Sequence, residues 1–369
     1  MRYPKVVFSV ILLAVCVLMW LRNRIGRKAP RVGDTYCRLQ KNAMRGVPTD
    51  TVLSVFRGPL QSAGLRYHPD PTLSTFLFFN MLSEYGDLHE HVWKLPHCRY
   101  VYSLLAIDLL ASKSAMYKHL KRSLSTDALE SVVPPTTVID ANTASTFDTR
   151  PNTLYILKKN LQRQEGCLLT EKASDVRDAH RQNYVVCQEV LKDNYLVAQR
   201  KINIRQYVVV TVTDEPSFHL YADGFVYYAP EPYDEGSNRP EVHITSGFND
   251  RSVYLENPLT LKDLYVRLGA EKATTLRKNI HSTLRTVMQS YRSILRTLDG
   301  KNDLQKNFAL LGIDLSVSRA LTCKVMEINK GPSLDPKDPR DAALKRDVVA
   351  QTVALLLDPE TARRMRSLD

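Results

Sequence analysis

The chain has no Cys-x-x-Cys pair and only six cysteines, at 16, 37, 98, 167, 187 and 323, over 369 residues. That scatter excludes a zinc ribbon, a thioredoxin-type redox pair and an evenly spaced disulfide framework, and reduced thiols are the simplest account. No Gly-x-x-x-x-Gly-Lys-Ser/Thr and no Gly-x-Gly-x-x-Gly occurs, so neither a P-loop nor a Rossmann phosphate site is available. Internal repeats are absent. So are basic runs interleaved with aromatic residues, which argues against a nucleic-acid partner.

What is present bounds the class. An apolar content of 44% is enough for real cores, and the length suits two domains of ordinary size. One long hydrophobic run exists, VVFSVILLAVCVLMWL over residues 6–21, about 24 Å as a helix at ~1.5 Å per residue. A cleaved signal peptide and a buried core helix are the competing readings. The run ends in Met19, Trp20, Leu21 and a cluster of arginines rather than in small residues, which favours an uncleaved membrane anchor. Arg22, Arg24, Arg27, Lys28 and Arg31 follow it while only Arg2 and Lys5 precede it. The more basic flank stays in the cytosol, so the expectation is a single-pass membrane protein whose body faces the cytosol. Seven of the positive charges lie in residues 1–31 with no acid, so +5 of the formal +12 belongs to the body. A mild excess of that kind suits an acidic protein partner.

Three regions are expected: the anchor and its basic flank (1–31), an amino-terminal domain and linker (32–150), and a larger domain (151–369). In the second, TLSTFLFFNMLSEYG (72–86) and LLAIDLLASKSAMYKHLKRSL (104–124) carry apolar residues at helical spacing. The Pro- and Thr-rich stretch 132–152 reads as a boundary. Beyond it come strand-like runs, Thr153–Lys158, Tyr184–Leu191, Ile202–Val212 and Ser217–Gly224, then a long helix over Glu271–Leu298 and a last one over Asp341–Leu357. The basic residues on the long helix read as a solvated face or as a grip for an acidic partner.

Between these helices lies FALLGIDLSVSRALTCKVMEINKGPSL, residues 308–334. Two apolar runs, Phe308–Val317 and Cys323–Ile328, flank a turn, and each carries acid where a buried strand has no use for it. Glu327 and Asn329 leave the same face of a strand, and a hairpin brings Asp314 alongside. Such an oxygen-donor set suits Mg²⁺; a salt-bridged strand face is the alternative. Upstream, Lys158 ends a strand before a loop containing Gly166, and Lys201, Asn203 and Arg205 alternate on one face. Cations so placed are what triphosphate oxygens need, and surface charge is again the alternative.

Taken in order, YILKKNLQRQEG, VVCQEVLKDNYLVAQRKINIRQYVVVTV, HITSG and the 308–334 block resemble the tubulin tyrosine ligase-like enzymes, amino-acid ligases of the ATP-grasp fold. The likeness runs over roughly residues 90 to 357. It implies an α/β (α+β) ATP-grasp body behind a smaller amino-terminal α/β domain, with ATP and Mg²⁺ as cofactors. The partners it implies are a free amino acid and tubulin or another acidic acceptor. By this resemblance Lys113, Lys158, Gly166, Gln188, Val190, Lys201 and Asn203 hold the nucleotide, Gln188 and Val190 lying where adenine is read. Arg205, Lys201, His243 and Thr245 serve catalysis, and Asp314, Glu327 and Asn329 bind the metal. The sequence departs from the family pattern at Asn203, where an aspartate is usual, at Ser246, where asparagine is usual, and at Tyr227–Tyr228, near which an arginine is usual. An ATP-dependent carboxylate–amine ligase follows from the intact blocks. A membrane-tethered nucleotide or microtubule binder that has lost catalysis follows from the departures.

Overall fold

The computed structural model describes residues 35–38, 51–68, 70–78, 95, 97–161, 166–245, 251–300 and 306–369. The expected membrane anchor lies outside them, and among the described residues no helix is long and apolar enough to cross a membrane.

The strands, in chain order, are β1 Thr35–Arg38, β2 Arg66–Tyr67, β3 Phe76–Phe78, β4 Tyr100–Tyr102, β5 Thr136–Val138, β6 Tyr155–Lys158 and β7 Cys167–Thr170. They continue as β8 Val186–Glu189, β9 Leu196–Val197, β10 Arg200–Val212, β11 Pro216–Tyr228, β12 Lys306–Val317, β13 Cys323–Lys330 and β14 Met365–Ser367. The larger sheet runs β14-β11-β10-β12-β4-β3-β1-β2, with β13 also on β12 and β9 on β10; the smaller runs β5-β8-β6-β7. With helices packed on these sheets, the architecture is mixed α/β, as expected.

β10 is a strand because Tyr207, Val208, Val209, Val210, Thr211 and Val212 are β-branched or aromatic, and the sheet buries all of them. Full burial of each valine is worth about 1.5–3 kcal/mol against exposure. Antiparallel pairing of β10 with β12 sets Arg205 opposite Asp314 and Asn203 opposite Ser316. Pairing of β12 with β13 sets Asp314 opposite Glu327 and Gly312 opposite Asn329. A register shift follows Asp314, and another follows Gln206 against β11. At the second, a Cβ on Gly224 would stand 2.3 Å from the Arg205 carbonyl oxygen, so the backbones approach as only glycine permits.

Several expected elements differ in the structure. Within 72–86, the described residues form not a helix but a short 3₁₀ turn and β3, because Phe76 is buried against β1 and β4 and stacks on Tyr100 at 4.4 Å. The helix expected over 104–124 is two, Ile107–Ala111 and Lys113–Ser123, broken where the Ser112 side chain accepts from Ala115 N and caps the second. The helix expected over Glu271–Leu298 breaks at Tyr291 into Ala270–Ser290 and Arg292–Asp299; the Tyr291 ring is buried and stacks on His119 at 4.1 Å. The stretch 132–152, read as a boundary, supplies β5 and the helix Ala141–Thr146. β11 outruns its expected end by four residues, to Tyr228.

Candidate active site

Strand pairing assembles the acidic half. Asp314 and Glu327 face each other across β12 and β13, and Asn329 reaches both, donating Nδ2 to Glu327 Oε1 at 3.0 Å and to Asp314 Oδ2 at 3.5 Å. Arg205 crosses from β10 and forks onto Asp314, Nε to Oδ1 at 2.5 Å and Nη2 to Oδ2 at 2.8 Å. Room for that fork comes from Gly312, whose missing Cβ would lie 3.1 Å from Arg205 Cδ and 2.8 Å from Pro332 Cβ. Lys113, the first residue of its helix, places Nζ 3.5 Å from Glu327 Oε2 and 2.9 Å from the Leu161 carbonyl, while its amide donates to Asn160 Oδ1 at 3.0 Å. One lysine thus joins the helix Lys113–Ser123, the loop after β6 and the acidic pair.

Burial raises the pKa of Asp314, and the charge of Glu327 adds to it against the pull of Arg205. Burial acts the same way on Glu327, but Lys113, Lys158 and the Asn329 amide outweigh it and hold that carboxyl low, at about 2. The pair therefore stays anionic on the Glu327 side. Two carboxylates and a carboxamide at paired strand positions are hard oxygen donors, the chemistry Mg²⁺ selects, so the residues fit that ion. Among the described residues no cluster of three His, Cys, Asp or Glu side chains could hold a metal. The set therefore relies on Asn329 and on oxygens a substrate brings.

The cationic half comes from the smaller sheet and from β10. Lys158, buried at the end of β6, donates to Gln188 Oε1 at 2.7 Å, and Gln188 Nε2 donates to Thr136 Oγ1 at 2.9 Å. β5, from the stretch read as a boundary, thereby orients the lysine through a relay that no local sequence signal marks. The Val190 amide donates to the Leu154 carbonyl at 2.9 Å. Gly166 has φ +78°, and its carbonyl accepts from Lys159 N at 2.9 Å at the base of the β6–β7 hairpin. A cavity of about 420 Å³, lined by Tyr117, Tyr155, Cys187 and Glu189 among others, opens on the reverse face of this sheet. Tyr155 and Cys187 alternate with Ile156 and Gln188 along their strands, which turns them away from Lys158, while Thr136 of the Gln188 relay also lines the cavity.

Lys201 is 4% exposed, and its ammonium has no hydrogen-bond or ion-pair partner among the described residues. Burial, and then the charge of Lys158, pull its pKa down to about 8. Among the described residues, Asn203 Oδ1 on the same face is buried without a partner. His243 is buried; its Nε2–H donates to the Ser237 carbonyl at 2.6 Å, which leaves Nδ1 a buried acceptor without a donor among the described residues. Burial lowers the His243 pKa, so the ring is neutral at pH 7. Thr245 is half-buried near the end of that segment, and Ser246 lies outside the described residues.

The depressed Lys201 has a measurable consequence. Between pH about 8 and 10.5 the unfolded lysine holds a proton that the folded one has released, so its contribution to stability rises with pH there and is lowest below 8. A polyanion bound beside Lys201 favours the charged form. At pH 8 binding of such a polyanion, with inorganic triphosphate as the probe, is expected to take up a fraction of a proton, read by calorimetry in two buffers of different ionisation enthalpy. Lys201→Met is expected to abolish that uptake. Uptake unchanged by the substitution would place the titrating group elsewhere.

Among the parts not legible in the sequence, the Lys330 contact with Asp108 bridges residues 222 positions apart, and nothing in the spacing announces it. Gly312, two residues before Asp314, carries no signal of its own in the sequence; its task of making room for Arg205 depends on the sheet register.

The profile of the tubulin-tyrosine ligase family matches residues 104–364, which contain every element of this site. The chain is 26% identical over 213 residues to the tubulin polyglutamylase ttll-5 of Caenorhabditis elegans, covering 52% of this chain and 29% of that protein. It is 23% identical over 223 residues to the tubulin glycylase 3B of Drosophila melanogaster, covering 56% and 29%. With the probable tubulin polyglutamylase TTLL2 of Mus musculus the identity is 24% over 273 residues, covering 67% and 49%. The match thus spans under a third of the first two relatives and about half of the third. A profile match over most of the chain, on the very strands that bring Arg205, Asp314 and Glu327 together, places the chain in the tubulin-tyrosine ligase family.

Proposed function

We propose that this chain is an ATP- and Mg²⁺-dependent ligase of ATP-grasp architecture that joins an amino acid to a carboxylate of an acidic protein acceptor such as tubulin. The observation that carries the reading is the convergence of Lys113, Lys158 and Arg205 on the Asp314–Glu327 pair from three separate elements. Membership of the family supports it, as do relatives named for tubulin polyglutamylation and glycylation.

In this reading the acceptor carboxylate attacks the γ-phosphorus of ATP, the bond to the bridging oxygen breaks and ADP departs, leaving an acyl phosphate. The amine of the incoming amino acid then attacks the acyl carbon, phosphate leaves with the electron pair, the nitrogen gives up one proton to the departing phosphate, and an amide remains. Asp314, Glu327 and Asn329 would hold Mg²⁺, which supplies charge neutralisation at the phosphates when bound. Lys158, fixed by Gln188, and Lys201 present ammonium charge to the triphosphate. Arg205 is the cation beside the transferring group, where preorganised charge acts on the transition state. His243, neutral with Nδ1 free, offers an acceptor to a substrate N–H or O–H.

Incubation of the protein with ATP, Mg²⁺, tubulin and labelled tyrosine, glutamate or glycine tests the proposal; folded protein that incorporates none of them refutes it. One observation favours the second reading, a nucleotide or microtubule binder without turnover: the unpartnered Asn203 oxygen stands where the family pattern has a carboxylate. Under that reading Asn203→Asp is required before any ligation is seen. Residues 6–21 are proposed to anchor the protein in a membrane with the ligase in the cytosol. A glycosylation acceptor engineered near the carboxyl terminus would then stay unmodified in cells, and its modification would reverse the orientation.

A further inference from the structure

The charges of the site divide at Asp314. On one side, Lys158 interacts with Glu327, Lys113 and Asp314. On the other, the charged groups that act on Tyr227 are Arg205, Asp314, Asp341 and Arg251. Each charge on this second side already has a protein partner: Asp314 holds Arg205, Arg251 holds Asp338, and Asp341 holds Lys345 at 2.7 Å. The half-buried Tyr227 phenol differs from all of them. Its ring lies under the Arg205 guanidinium, 5.3 Å from centroid to Cζ, and is stacked on Phe225 at 6.3 Å and 9°. Its hydroxyl has no partner among the described residues. A second phenol acting on the same groups, Tyr207, is fully buried, and its hydroxyl is likewise without a partner.

The half-buried Tyr227 hydroxyl is reached by solvent, and in a pocket of paired charges it is a donor that a bound group takes over from water. A phenol is a donor at neutral pH, and every carboxylate nearby is committed to a cation. Asn203, directly opposite Tyr227 across β10 and β11, carries a buried Oδ1 that makes no bond to the phenol, so the hydroxyl stays open to an acceptor oxygen that a ligand brings beside Arg205. We propose that the Tyr227 hydroxyl donates a hydrogen bond to a bound oxyanion, a carboxylate or phosphoryl oxygen, on the side of Asp314 away from Lys158. This rests on the ligase reading and extends it: the oxyanion is the acceptor carboxylate or the terminal phosphoryl group it receives. A neutral hydroxyl adds direction without adding charge, so the charge complement of the oxyanion comes from Arg205 and the other cations of the site.

The test uses the full chain and its Tyr227→Phe variant, which keeps the ring and its stacking. Dissociation constants are measured for ADP, for a non-hydrolysable ATP analogue, and for a glutamate-rich peptide in the presence of that analogue and Mg²⁺. ADP affinity is expected to stay within twofold. A loss of about tenfold or more for the peptide assigns the oxyanion to the acceptor carboxylate, and the same loss for the analogue assigns it to the terminal phosphoryl group; either supports the proposal. All three constants within twofold of the unsubstituted protein overturn it, as does a loss of ADP affinity as large as the other losses. If the unsubstituted chain binds neither nucleotide nor peptide, the ligase reading falls and this inference falls with it.

Discussion

Glu327→Gln is expected to reduce amino-acid incorporation by about a thousandfold or more while leaving the protein folded. The carboxylate lies between the Lys113 ammonium and the Asn329 amide, directly opposite Asp314. Removing one of two anionic donors takes charge from the centre where the phosphates are neutralised, and preorganised groups of that kind are worth roughly two to three orders of magnitude each. Loss of a metal ligand adds to this. Stability responds differently. Glutamine frees Asp314 from a like charge but deprives Lys113 of its partner, and these opposing effects should leave Tm within a few degrees. Sites that hold like charges together commonly trade stability for function in this way. Retention of activity within tenfold would remove Glu327 from the metal set.

Arg205→Ala is expected to cost about 3–5 kcal/mol of stability at pH 7, because it leaves the buried Asp314 carboxylate without its counter-charge. Both side chains are only 13% exposed, so solvent does little to screen the loss. The control is the double substitution Arg205→Ala with Asp314→Asn, which removes the orphaned charge and should recover most of that deficit in urea unfolding. The pH dependence has a definite sign. Asp314 already has a raised pKa, and without Arg205 its folded form prefers the proton more strongly. The deficit of Arg205→Ala alone should therefore be smallest in acid and grow as pH rises toward neutrality. A deficit that persists in the double variant would mean that Arg205 stabilises through packing against Gly312 and Tyr227 rather than through charge.

The hairpin that carries the acids was legible because its signals are local. Two apolar runs around Ser318–Thr322 become β12 and β13 with little change of boundary, and the alternation of Glu327 and Asn329 puts both toward Asp314. Pairing of Arg205 with Asp314 was not legible, because it depends on β10 lying beside β12 in one particular register. Lys113 could be placed only loosely in sequence; its helix start, set by Ser112, carries it to Glu327. The failure at 72–86 has the opposite cause. Apolar residues such as Phe76, Leu77 and Phe78 suit a helix face and a buried parallel strand alike, and only the neighbours β1 and β4 decide between them. At 132–152 the prolines suggested a break, yet Thr136 is the residue that steadies Gln188.

The register of β10 on β12 also governs how the chain reaches its native state. Arg205 and Asp314 are 109 residues apart in sequence, so their ion pair requires closure of a very long loop. Until then the run Tyr207–Val212 has no second edge, and an unpaired apolar strand is the kind of segment on which other chains add. Refolding should accordingly be slow and sensitive to protein concentration, and the catalytic cluster should be among the last parts of the molecule to form.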